Sequence, residues 1–302
     1  YENQKRDNIV VTHGAIGANA LVHETMISPG DHVISICPTY QQHYSIPESF
    51  GAKLDILWLR PENDFLPDLE ELGRMLRPNT KLVVLNNPNN PTGALLMGAN
   101  LEEFVAVVRT SGAYILCDEV YRGTNQVGNG FAPGMADIYE KGISVSSMSK
   151  VFSLAGIRLG WIAAPREVLE AVSIRRDYNT ISVGMIDDYF ASLALENKEQ
   201  IIGRSQKITR GNLKILDDWV SKEHSISYKK PQAGTTALLK YDFDIPSREF
   251  CIQLLRETGV MFTPGSVMEM EGWLRIGYAN SPEVLSQGLD LVSNFLSQMG
   301  SR

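Results

Sequence analysis

The residues with the clearest chemical potential are Ser146-Ser147-Met148-Ser149-Lys150, with Arg158 eight positions beyond the lysine. A lysine amine condenses with an aldehyde, and hydroxyls with a guanidinium hold a phosphate dianion. Pyridoxal phosphate carries both groups, so this stretch is suited to hold it. Upstream, Asp118 closes the apolar run Ile115-Leu116-Cys117. A buried carboxylate costs several kcal/mol unless a cation or donor meets it. A protonated pyridine nitrogen is such a partner, and the protonated ring is the electron sink that acidifies a Cα–H bond. Tyr121, three residues on, and Asn90, in the stretch Asn86-Asn87-Pro88-Asn89-Asn90-Pro91-Thr92-Gly93, are placed to reach the phenolic oxygen of such a ring. Two prolines fix that loop's path and remove donors, so the Asn90 amide is aimed. Tyr40, at the mouth of a strand, can lie flat on the ring. Arg275, inside the apolar strand Leu274-Arg275-Ile276, offers a bidentate fork to a carboxylate.

Each feature has a plainer explanation. Ser147-x-x-Lys150 is also the nucleophile pattern of penicillin-binding enzymes, but that chemistry needs Ser-Asp-Asn and Lys-Thr-Gly companions, and neither occurs in the 302 residues. Gly14-x-x-Gly17 leaves backbone N–H groups of Ala15 and Ile16 free for a phosphate at a helix start, and it also suits a tight turn without a ligand. Arg275 could pair locally with Glu271. His13 reads as a structural histidine.

These residues must be positioned by a framework. Short β-branched runs at 9–12, 32–37, 53–59, 82–86, 114–118, 143–147 and 159–163 alternate with helix-length segments. That is the pattern of a mostly parallel seven-stranded α/β sheet with helices on both faces. The candidate residues fall at the C-terminal ends of the strands, where an open α/β sheet presents its ligands. A helix is expected over 165–178 with Val168, Leu169, Val172 and Ile174 as its apolar stripe. A second, long helix over 187–223 crosses toward a smaller α+β domain whose last strand runs 272–279. The domains are expected at 1–200 and 201–302.

A net charge of −7 argues against nucleic acid or an anionic membrane surface, which need a basic face. Three widely spaced cysteines without a CxxC pair suit a reducing, cytoplasmic setting. No apolar run reaches the roughly 18 residues of a membrane helix, and no metal-ligand spacing occurs. The chain opens on Tyr1 rather than Met, and residues 1–6 read as the end of a helix cut in the middle, so a natural N-terminal arm is expected to precede them.

The four ordered motifs, Asn90-Pro91-Thr92-Gly93, Asp118-Glu119-Val120-Tyr121, Ser147-Met148-Ser149-Lys150 with Arg158, and Arg275, together resemble the fold-type I, class I/II pyridoxal-phosphate aminotransferases over essentially the whole chain. The resemblance implies that Lys150 is the Schiff-base lysine and proton shuttle, and Asp118 the partner of the pyridine nitrogen. It implies Asn90 and Tyr121 on the ring oxygen, Tyr40 as the stacking aromatic, and Arg275 on the substrate α-carboxylate. Ser147, Arg158 and the backbone at Ala15 and Ile16 would form the phosphate cup. It further implies a homodimer whose partner subunit completes each site, acting on an L-amino acid and a 2-oxo acid. The stretch 179–188, with Pro38-Thr39-Tyr40-Gln41-Gln42, is similar to the branch of capreomycidine synthase and PLP-dependent arginine oxidases. There Asp187 or Asp188 would face a cationic substrate side chain, although both also suit the start of a helix. The same framework supports β-elimination, or arginine oxidation and cyclisation. It also occurs as the regulatory half of transcription factors, a role that the intact Lys150, Asp118 and Arg275 argue against.

Overall fold

The computed structural model describes residues 1–299. In chain order the elements of the first half are β1 (Ile9–His13), α1 (Gly14–Met26), β2 (His32–Cys37), α2 (Gln42–Ser49), β3 (Lys53–Trp58), α3 (Leu69–Met75), β4 (Thr80–Asn86), α4 (Ala99–Arg109), β5 (Tyr114–Asp118), α5 (Met135–Ile138), β6 (Gly142–Ser147) and β7 (Leu159–Ala163). They are followed by α6 (Arg166–Asn179), α7 (Met185–Glu196), α8 (Lys198–Val220), β8 (Ile226–Tyr228), β9 (Thr236–Tyr241), α9 (Ser247–Thr258), β10 (Thr263–Pro264), β11 (Trp273–Gly277) and α10 (Pro282–Met299).

Seven strands form one sheet in the order β1-β7-β6-β5-β4-β2-β3. All neighbours are parallel except that β7 runs antiparallel to both β1 and β6. Successive side chains of a strand face opposite ways, and here that rule divides the core in two. Leu82, Val84, Leu116, Ile143 and Val145 pack with Ala18, Leu21 and Val22 of α1 and Val168 and Leu169 of α6. Val83, Leu85, Ile115 and Cys117 pack on the other side with Leu72 of α3 and Leu101, Phe104 and Val108 of α4. The sheet is therefore covered on both faces, which is what its near-continuous apolar strands require. The same parity turns the Asp118 side chain, two residues beyond Leu116, toward α1.

The second half builds a four-stranded antiparallel sheet, β10-β11-β9-β8. Its core joins Leu213 and Leu216 of α8, Phe250 and Leu254 of α9, and Leu289, Val292 and Phe295 of α10. Local signals set the helix ends. Asp68 accepts the Glu71 N–H at 2.9 Å to cap α3, and Gly259, at φ 74°, takes the left-handed turn that stops α9.

Four expectations need correction. The long helix over 187–223 is two helices, parted at Asn197, whose amide donates to the Leu193 carbonyl at 2.8 Å; asparagine offers the backbone this local alternative to helix continuation. Ile174 is 61 % exposed, because it lies two residues past Val172 and so about 200° around the helix from the buried stripe. His13 is exposed at the N-cap of α1. Residues 1–5 are irregular, with a single 3-10 turn over Arg6–Asn8 in place of a helix end.

Candidate active site

The side chains converge where β4, β5 and β6 end. Asp118 is buried, and its Oδ2 accepts the Asn19 amide of α1 at 2.8 Å while Oδ1 accepts the Val120 N–H at 3.1 Å. His43 Nε2 stands 3.4 Å from the same Oδ2. Asn86, at the end of β4, donates to the Asp118 carbonyl at 2.8 Å, and its Oδ1 accepts the Asn90 N–H at 2.7 Å. The loop carrying Asn90 is thereby tied to the strand carrying Asp118. Arg275 Nη1 donates to Asn90 Oδ1 at 3.3 Å, and its Nη2 donates to the Thr263 hydroxyl at 3.1 Å. Glu271, the local acid that might have neutralised Arg275, instead accepts the Ser247 N–H and the Ser247 hydroxyl at the start of α9. Arg275 is thus half-buried with no ion-pair partner among the described residues.

Tyr121 is buried, and the Lys150 amine lies 6.0 Å from the centre of its ring. Burial raises the Tyr121 pKa, a hydrogen bond with the Thr235 hydroxyl opposes the rise, and Asp118 adds to it while Arg275 works against it. The phenol therefore sits in the field of both groups and stays protonated as a donor. Tyr40 is 46 % exposed in the turn before α2, and its carbonyl accepts the His43 N–H at 3.0 Å.

At the other end, Arg158 Nη1 donates to the Ala155 carbonyl at 2.7 Å and lies 3.4 Å from the Ser149 hydroxyl. Gly14 adopts φ +65° at the start of α1, and a Cβ there would stand 2.9 Å from Arg158 Nη2. A Cβ on Gly160 of β7 would come within 2.5 Å of the Gly14 carbonyl carbon. Two glycines therefore let the strand, the helix start and the guanidinium close on one another. The Gln42 amide donates to the Ile16 carbonyl at 2.7 Å, and the N–H groups of Ala15 and Ile16, in the first turn of α1, have no intrahelical partners. Ser147, buried on the α1 side of β6, accepts the Ser149 N–H at 3.3 Å.

This donor set fits pyridoxal phosphate. The Gly14 cradle with Arg158 and a helix N-terminus suits the phosphate dianion. A buried carboxylate suits the pyridine nitrogen, a phenol and an amide suit the ring oxygen, and an unpaired guanidinium suits a substrate carboxylate.

Ala15, Ile16, Asn90, Asp118, Tyr121, Ser147, Lys150 and Arg158 lie on one side of the large sheet, in or beside the turns at its strand ends, and Arg275 reaches Asn90 from β11 of the second sheet. Asp187 and Asp188 lie in the first turn of α7, with no capping bond from the preceding residue. Asn19, His43 and Ser149 were missed as contacts. Asn19 follows Ala15 by four residues and so shares its helix face, and His43 follows Tyr40 by three. Glu119 was missed as well. Facing away from Asp118, it accepts Met135 N–H and Ser144 Oγ–H, both at 2.7 Å, and the Tyr1 hydroxyl at 3.3 Å. Burial pushes its pKa up to about 7.

The family model described as aminotransferase class I and II matches residues 1–290. A capreomycidine synthase of Streptomyces vinaceus is 30% identical over 289 residues, covering 95% of this chain and 74% of that one. An aspartate aminotransferase of Thermotoga maritima is 29% identical over 296 residues, covering 96% and 76%. The crystal structure of a PLP-dependent aminotransferase from Streptococcus suis 89-1591 superposes with a TM-score of 0.95 at 45% identity, covering 99% of this chain and 79% of that one. With the matched family model spanning nearly every residue that builds the site, the chain belongs to the class I and II aminotransferases, pyridoxal-phosphate enzymes of fold type I.

Proposed function

We propose that this aminotransferase takes an L-amino acid and a 2-oxo acid as its substrate pair, with Lys150 as the residue that holds the cofactor and moves the proton at Cα. The observation that carries this reading is Arg275. A half-buried guanidinium without a carboxylate partner, bonded to Asn90 and beside Tyr121, is a preformed receptor for an α-carboxylate. When bound, pyridoxal phosphate supplies the electron sink that makes the Cα–H bond acidic. Asp118, held in place by Asn19 and Val120, would meet the ring nitrogen with its carboxylate. Tyr121 and Asn90 would donate toward the ring oxygen, Tyr40 would cover the ring face, and Arg158 with Ser147, Ser149, Ala15 and Ile16 would hold the phosphate. The Lys150 amine, 6.0 Å from the Tyr121 ring, would hold the cofactor and, as a base, would carry the proton at Cα.

The two sheets support a division at about residue 200, in which the large sheet and its helices would bind the cofactor and the smaller one would contribute Arg275. A homodimer accounts for α7, whose Met185 (87 %), Ile186 (72 %), Tyr189 (62 %) and Phe190 (50 %) are exposed. So large an apolar face on one helix calls for a second surface, and a partner subunit there would lie close to the active-site loops. Three free, buried cysteines suit a cytoplasmic setting, and among the described residues no helix is long and apolar enough to cross a membrane.

A steady-state assay with a panel of L-amino acids, L-arginine included, tests the reading. Transamination yields one 2-oxo acid and one new amino acid per turnover, without oxygen uptake. Oxygen consumption with L-arginine as the sole substrate, and no acceptor required, would move the protein to the arginine-oxidising chemistry and give Asp187 and Asp188 a role on the substrate.

A further inference from the structure

Tyr278 is fully buried at the end of β11, three residues beyond Arg275, and nothing in the cofactor chemistry accounts for its hydroxyl. That hydroxyl donates to the Gly234 carbonyl at 2.8 Å. The Gly234 N–H donates to Thr124 Oγ1 at 2.8 Å, and Thr124 Oγ1 donates to the Tyr121 carbonyl at 2.5 Å. An unbroken chain of bonds therefore runs from the strand that carries Arg275 to the residue whose phenol faces the ring oxygen. Gly234 takes φ +86°, and a Cβ on it would stand 4.0 Å from Tyr121 Cδ1, so its backbone lies against the Tyr121 ring. The same segment reaches the other ring-oxygen partner: the Gln232 and Ala233 N–H groups donate to the Gly93 carbonyl at 2.9 and 3.0 Å, fixing the loop that carries Asn90. From the far side, Asn212 of α8 donates to the Tyr278 carbonyl at 2.7 Å.

We propose that Tyr278 is a positioning residue, which through Gly234 and Thr124 sets the place of Tyr121, so that the carboxylate grip at Arg275 and the phenol at the ring oxygen are held as one unit. The inference rests on the assignment of Lys150 and Tyr121 to the cofactor site. Its physical basis is the cost of an unmade bond: without the Tyr278 hydroxyl the buried Gly234 carbonyl has lost its partner, and the segment shifts to find another. A phenol that has moved away from the ring oxygen stabilises the ionised ring less, which raises the pH at which the lysine-bound cofactor takes up its proton.

The test is the pH midpoint of the visible band of the holoenzyme in four forms: wild type, Tyr278→Phe, Tyr121→Phe and the double variant. Tyr278→Phe is expected to raise the midpoint by about half a pH unit or more, Tyr121→Phe by more, and the double variant by no more than Tyr121→Phe alone. An unmoved midpoint in Tyr278→Phe, with a raised one in Tyr121→Phe, overturns the inference while leaving the site assignment intact. Shifts that add in the double variant overturn it too, because Tyr278 then acts by a route other than Tyr121. An unmoved midpoint in Tyr121→Phe refutes the placement of Tyr121 itself. Should Tyr278→Phe fail to fold, Thr124→Val cuts the next link and Thr124→Ser restores it. A Val variant with the wild-type midpoint is then the overturning result.

Discussion

Arg275 and Lys150 carry separate parts of the account, so each can be tested alone. A guanidinium fork grips both oxygens of a carboxylate, whereas an ammonium is a point charge. Arg275→Lys should therefore raise KM for the amino acid by about tenfold or more, with cofactor affinity unchanged. An unchanged KM would remove Arg275 from the carboxylate. Lys150→Ala should abolish absorbance at roughly 400–430 nm, the signature of an imine conjugated to the ring; a surviving band would mean that another lysine holds the cofactor. Lys150, Asp118, Arg158 and Arg275 could be singled out from the sequence because residue type and immediate neighbours alone suggest a chemistry for each. Asn19 and His43 were not, because their significance lies in a contact with Asp118 made across 99 and 75 positions of chain. No local pattern records such a contact.

The elements hold these residues through close backbone approach. Gly14 serves both its own left-handed turn and the room needed by Arg158. A Cβ at that φ costs roughly 1 kcal/mol in strain and, at 2.9 Å, displaces the guanidinium as well. Gly14→Ala should therefore leave the protein folded but raise the dissociation constant for pyridoxal phosphate several-fold, as measured by titration of the apoprotein. An affinity equal to wild type would show that Arg158 does not depend on this turn. The seven strands were legible as short apolar runs bounded by loop-length breaks, and their observed bounds differ from expectation by two residues at most. The break between α7 and α8 was not, since helical periodicity on both sides of Asn197 reads straight through it. Ile174 was assigned to the apolar stripe of its helix, but two residues past Val172 it falls on the opposite side.

At the scale of the whole molecule, two features remain to be tested. Glu119 has its folded pKa raised by burial from the ordinary 4.5 to about 7. The folded state thus favours the protonated carboxyl, and stability from this group is fully present below pH 4.5 and lost as pH rises through 7. Glu119→Gln should flatten that fall in a series of denaturant melts. A wild-type slope in the variant would assign the pH dependence elsewhere. The apolar face of α7 makes the second prediction: Tyr189→Glu with Phe190→Glu should yield a monomer by sedimentation, and an unchanged assembly would place the subunit contact on another surface.

Amino-group transfer requires Lys150, Asp118 and Arg275 to act together on one amino acid. A single-turnover absorbance measurement tests this most directly. Holoenzyme mixed with its amino donor should lose the visible band and gain one near 330 nm, roughly where the reduced chromophore absorbs. Addition of a 2-oxo acid should restore the visible band in full. A visible band that no L-amino acid discharges, or one that a 2-oxo acid cannot restore, would contradict amino-group transfer by this site.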